Sequence, residues 1–159
     1  MATDIDRYEL TWIYICVVAL LVLFGVLLYS AYALGIHVET DVGQIHPAQV
    51  ATTPPFDQPG LRMIGPDHYE AVIVARAWVF DPPEIRVPVG STVTFKLTSI
   101  DVIHGFKIPR TGINRMIVPG QISEVTHRFD EPGTYTFFCH EYCGSGHHIM
   151  NGGIVVEPR

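Results

Sequence analysis

Residues 133–157 read GTYTFFCHEYCGSGHHIMNGGIVVE, and the character of the chain changes twice within them. The flanks, 133–138 and 153–157, are short runs of Thr, Tyr, Phe, Ile and Val bounded by Gly and Pro, the composition of β-strands. Between them Cys139, Cys143, His147 and Met150 recur as Cys-x3-Cys-x3-His-x2-Met. A loop joining two strands in this way can fold all four donors around one small volume. Outward from it the same punctuation continues. Residues 71–78, 84–87, 91–97 and 120–129 are further β-type runs, and in 91–97 Val93, Phe95 and Leu97 alternate with Thr92, Thr94 and Lys96. No stretch beyond residue 40 carries a helical period. Short strands at this spacing predict an all-β sandwich or barrel.

The chain has 159 residues, with 10 Lys+Arg against 16 Asp+Glu and a net charge of −6. That balance argues against nucleic-acid binding, which needs a clustered basic patch. With 48% hydrophobic and 16% charged residues the chain is not intrinsically disordered. Much of the hydrophobicity is local, because no Asp, Glu, Lys or Arg occurs between Glu9 and Glu39. Spanning a bilayer takes about 20 helical residues, so 10–37 is predicted as a transmembrane helix after a tail at 1–9. Trp12 and Tyr14 near one end, Tyr29 and Tyr32 near the other, match interfacial aromatic belts. Gly25 and Gly35 permit close packing, and Cys16 reads as a packing residue.

A cleaved signal peptide is the alternative, and Ala31-Tyr32-Ala33 resembles a cleavage site. The apolar run exceeds the usual roughly 7–15 residues, and its leader is acidic, so an anchor is expected. Arg7 is the only Lys or Arg before Arg62, which puts the N-terminus in the cytoplasm and the β-domain in the periplasm or outside the cell. Residues 38–68, rich in Pro, read as a linker and lead-in without a helical or strand period, and 69–159 as the β-domain.

The loop donors admit several uses. Two exported cysteines suggest a disulfide, which would leave His147 and Met150 without a purpose. Zinc would take two Cys and two His but has no use for a thioether. Thiolate, thioether and imidazole together point to copper. His104, in 101–106 (DVIHGF), supplies a further imidazole. Cys143, His147, Met150 and His104 already complete a one-copper site, so the second thiolate, Cys139, is best used as a bridge between two coppers. His140 and His148 flank these positions and read as loop or surface histidines; His37, His46, His68 and His127 lack companion donors and read as surface.

The loop 139–150, the segment 101–106 and the single N-terminal anchor resemble subunit II of haem-copper cytochrome c oxidases, and most closely the one-anchor B-type form. The resemblance covers nearly the whole chain. It implies a cupredoxin Greek-key barrel and a binuclear copper centre, CuA, with His104, Cys139, Cys143, His147, Met150 and the main-chain carbonyl of Glu141 as ligands. It implies electron transfer from cytochrome c or a small cupredoxin to haem in subunit I, where O₂ reduction is coupled to proton pumping across a bacterial or archaeal cell membrane. Three further roles are set against plainer readings. The Glu141 carboxylate holds Mg²⁺ at the subunit I interface, or only its carbonyl acts. Trp78 is a point of electron uptake, or a core or rim tryptophan. Glu9 is a point of proton uptake, or an interfacial charge. The rival to an oxidase subunit is a free-standing, membrane-tethered copper carrier or copper-delivery protein.

Overall fold

A strand with alternating side chains can bury only one face, and the run at 91–97 does so. Val93, Phe95 and Leu97 have no exposed surface, while Thr92, Thr94 and Lys96 are half-buried on the other side. A computed structural model describes residues 6–33 and 41–159. The chain divides after Val38 into a helical unit and a β-sheet unit.

The helical unit is α1, Arg7–Ala33, with a mean hydropathy of 2.7 over its most apolar window. At 1.5 Å per residue it is about 40 Å long, enough to cross a hydrocarbon layer of about 30 Å. Among the described residues its side chains are exposed along its length apart from a half-buried Ser30. Glu9 lies in its first turn. The expected continuation to residue 37, with Gly35 and His37, lies outside the described residues.

Among the described residues the β-sheet unit contains eleven strands. They are β1 (Asp41–Gln44), β2 (Gly60–Gly65), β3 (His68–Arg76), β4 (Val79–Asp81), β5 (Glu84–Pro88), β6 (Ser91–Ser99), β7 (His104–Ile108), β8 (Ile113–Ile117), β9 (Gln121–Phe129), β10 (Gly133–Phe138) and β11 (Asn151–Glu157). One sheet runs β1-β9-β6-β3-β2 with β4 added on β3; the other runs β5-β11-β10-β7-β8. Two pairs are parallel, β3 with β6 and β5 with β11, and the rest are antiparallel. Between the sheets the phenylalanines interlock. Phe106 lies 5.0 Å from Phe137, 5.4 Å from Phe95 and 5.9 Å from Phe80, ring centre to ring centre. Cys139, Cys143 and Met150 belong to this same buried cluster.

The segment read as a linker and lead-in without a period carries regular structure. β1, a 3-10 turn at Pro47–Thr52 and β2 all fall inside it, and Ile45, Val50 and Phe56 form a second buried cluster with Val72 and Val74. The cause lies in β3, whose run Ala71–Ala75 is apolar at every position. Ala71, Ile73 and Ala75 face the main core, so Val72 and Val74 emerge on the opposite face and need a cover. Ile45, Val50 and Phe56 provide it at irregular intervals between prolines, which is why the segment shows no period.

Phe56 is 2% exposed, so Phe56→Ala opens a cavity in this outer cluster. It is expected to cost about 3 kcal/mol of stability by chemical denaturation while leaving metal binding at the 139–150 loop intact. A loss below about 1 kcal/mol would mean that the cluster collapses around the smaller side chain.

Candidate metal centre

The loop between β10 and β11 is closed at its base by the amide of Cys139 donating to the carbonyl of Met150 at 3.1 Å. Inside it, His147 N donates to Gly144 O and Met150 N to His147 O, winding a 3-10 turn over His147–Ile149. Gly144 starts that turn at φ +117°, where a side chain would be strained. Gly146 is required for a different reason. A Cβ there would sit 2.4 Å from the ring of Trp78, which packs flat against the loop backbone.

This folding brings the expected donors together. Cys139 Sγ and Cys143 Sγ are 3.7 Å apart, and both are buried free thiols. Around Cys139 lie His104 Nδ1 at 3.9 Å and the carbonyl oxygen of Glu141 at 3.1 Å. Around Cys143 lie His147 Nδ1 at 3.6 Å and Met150 Sδ at 3.7 Å. One imidazole and one weaker donor thus accompany each sulfur, and the backbone amide of Gly105 donates to Cys139 Sγ at 3.4 Å. Among the His, Cys and acidic side chains of the described residues, His104, Cys139 and Cys143 form the group whose ligating atoms all lie within 4.8 Å of one another. Two soft thiolates with imidazole and thioether fit copper, and a thioether beside the pair would be idle around zinc.

Asp101 is the residue that sequence reasoning passed over. Its Oδ1 is 2.9 Å from His104 Nε2, and its Oδ2 accepts from the amide of Ala77 at 2.6 Å. Partial burial pushes the Asp101 carboxyl up. The hydrogen bonds from His104 and from the amides of Ala77 and Val102 outweigh it and hold the group below its ordinary range. The signal was present in the spacing Asp-x-x-His, since a metal-binding imidazole commonly gives its other N–H to a carboxylate.

The other positions separate clearly. Trp78 is 36% exposed, and its indole N–H donates to the carbonyl of Cys143 at 3.0 Å. His140 is half-buried, with Nε2 3.1 Å from the carbonyl of Arg115 and its ring against Gly105. His148 and His68 are exposed. Exposed His46 accepts from the Ala48 amide to cap the 3-10 turn. His127, expected at the surface, is half-buried and stacks edge-on against Phe129 at 4.8 Å. That burial pushes its imidazole down, opposed by Asp130.

In the metal-free site, burial and then the neighbouring Cys139 push the Cys143 thiol up to about 11. A metal must therefore displace a proton that the fold favours, so binding releases protons and strengthens as pH rises. Metal affinity measured by chelator competition is expected to fall steadily from pH 8 to pH 5, and a flat profile would mean that no thiol proton is displaced.

Comparison with known proteins points one way. Residues 73–158 match the family model described as cytochrome c oxidase subunit II, periplasmic domain. Cytochrome c oxidase subunit 2 of Thermus thermophilus is 34% identical over 154 residues, spanning 94% of this chain and 92% of that one. A chain in the cryo-EM structure of a heme-copper terminal oxidase dimer is 38% identical and superposes with a TM-score of 0.77, over 95% of this chain and 100% of that one. The periplasmic domain of subunit II from Bradyrhizobium japonicum, at 23% identity and a TM-score of 0.52, shares the fold over 56% of this chain and 83% of its own. The two-sheet unit is cupredoxin-like, and the chain belongs to the cytochrome c oxidase subunit II family.

Proposed function

We propose that the β-sheet unit holds a binuclear copper centre, CuA, and that the chain relays electrons within a haem-copper terminal oxidase. The observation that carries this reading is the thiol pair 3.7 Å apart with an imidazole and a weaker donor beside each sulfur. His104, Cys139, Cys143, His147, Met150 and the carbonyl of Glu141 are the proposed ligands. When bound, the copper pair supplies a one-electron couple, with the charge change spread over two metals and two sulfurs. The chain's own residues contribute a rigid cradle. Cys139, Cys143, Met150 and His104 are all buried in or against the core, so little can rearrange when an electron arrives. Six protein donors fill the site and leave no position for a substrate.

The donor is proposed to be cytochrome c or a small cupredoxin, and the acceptor haem in subunit I, where O₂ reduction drives proton pumping. Trp78 is the proposed point of electron uptake, since it is partly exposed and its indole is bonded directly to the backbone of Cys143. α1 anchors the chain in the membrane. The lone Arg7 favours a cytoplasmic N-terminus, with the copper domain on the outer side. Glu9 would then lie at the cytoplasmic membrane edge, where proton uptake is proposed. The Glu141 carboxylate, half-buried beside the copper loop, is the proposed Mg²⁺ ligand at the subunit I interface.

The fully loaded, full-length chain is expected to contain two coppers, and Cys139→Ser and Cys143→Ser should each destroy its binuclear spectrum, because each removes one of the two shared thiolates. A ratio of one copper, or a native spectrum in either variant, contradicts the binuclear reading. Trp78→Ala is expected to slow electron uptake from the donor protein by more than about tenfold while copper content and transfer onward to haem stay near normal. Wild-type uptake in that variant would return Trp78 to a packing role.

A further inference from the structure

The turn joining β6 to β7 ends in a carboxylate that reaches two different parts of the site. Asp101 Oδ1 meets His104 Nε2 at 2.9 Å, while Oδ2, on the other side of the same group, accepts from Ala77 N at 2.6 Å. Ala77 is joined directly to Trp78, whose indole holds Cys143 O. The carboxylate is itself fixed. Val102 N donates to Oδ1 at 2.7 Å. The fully buried hydroxyl of Ser99 accepts from Asp101 N at 3.3 Å and donates to Val102 O at 2.7 Å. A carboxylate needed only to cap its own turn would be served by the Val102 contact and would not place its two oxygens on two other segments.

We propose that Asp101 is a positioning residue for the electron route, fixing the His104 ring through Oδ1 and the Trp78-bearing peptide through Oδ2. The inference deepens the copper reading above and rests on it. A carboxylate oxygen can only accept, so His104 carries its proton on Nε2 and keeps the Nδ1 lone pair free. That nitrogen is the one turned towards Cys139 Sγ, 3.9 Å away. The anion also makes the imidazole a stronger donor and favours the more positively charged, oxidised state of whatever metal it holds. On the other side, the bond to Ala77 N ties the tryptophan to the same anchor as the histidine. The aromatic and the ligand are thereby held in fixed relation by one side chain, 33% exposed, between a ligand with no exposed surface and a partly exposed ring.

The test uses Asp101→Asn in the full-length chain and in the assembled oxidase. Asparagine keeps the size but removes the charge, and its amide cannot accept from both His104 and Ala77 as two carboxylate oxygens do. In the metal-free chain, ¹⁵N spectra are expected to show His104 as the Nε2–H tautomer in the parent and as a mixture in the variant. With copper, affinity should fall about 10–100-fold. The potential should rise, with the reduced state favoured by roughly tenfold, about 59 mV for a one-electron couple. Electron uptake from the donor should slow, although Trp78 is retained. An unchanged tautomer and potential would overturn the His104 role, and wild-type uptake would overturn the Trp78 role. Should the variant fail to take up metal, Ser99→Ala decides: it keeps the carboxylate but frees its turn. Smaller shifts of the same sign support the proposal, and parent values for tautomer and potential overturn it. Copper content of the unaltered chain is measured alongside; its failure would count against the copper reading, whereas the metal-free tautomer reports on Asp101 alone.

Discussion

Two thiols held 3.7 Å apart inside a hydrophobic core are the constraint around which the rest of the β-sheet unit is arranged. Sulfur is tolerated among phenylalanines, which is why Cys139, Cys143 and Met150 pack into the same cluster as Phe106 and Phe137. The polar donors enter that cluster only where the backbone brings them. β10 delivers Cys139, the return bond from Cys139 N to Met150 O closes the loop, and β7 delivers His104 from the neighbouring strand. The glycines mark where this crowding is greatest. At Gly105 a Cβ would meet the His140 ring at 2.5 Å, and at Gly152 it would meet Phe137 at 2.4 Å and Pro83 O at 2.5 Å. The loop has little freedom to relax into another shape, and a preformed donor set is what low-reorganisation electron transfer requires.

Burial also sets the electrostatic balance. Cys143 is held as a thiol in the metal-free state, so the fold alone does not want two thiolates in contact. A bound cation would offset that cost. The carboxylate of Asp101 stays partly exposed and meets the His104 ring.

Much of this could be read from the residues. The period-two run at 91–97 and the Cys-x3-Cys-x3-His-x2-Met loop are local signals, and His104 stood out because a lone imidazole beside such a loop completes a donor set. The chain could not announce contacts that depend on the far side of a sheet. Val72 and Val74 were visible as part of a strand, but nothing local said that Ile45, Val50 and Phe56 would cover them. β7 and β8 were passed over because their burial does not alternate; His104, Gly105 and Phe106 are buried in succession between core and loop. The spacing Asp-x-x-His carried the contact of Asp101 with His104 but not the one with Ala77, which lies on a strand connection 24 positions away.

If Cys139 and Cys143 hold one copper pair between them, a single electron should be shared by both metals. Electron paramagnetic resonance of the partly oxidised, copper-loaded full-length chain tests it most directly, because the unpaired spin couples to every copper nucleus it visits. Hyperfine structure from two equivalent copper nuclei is the predicted result. A pattern from a single copper nucleus, with the second metal absent or silent, would contradict the account.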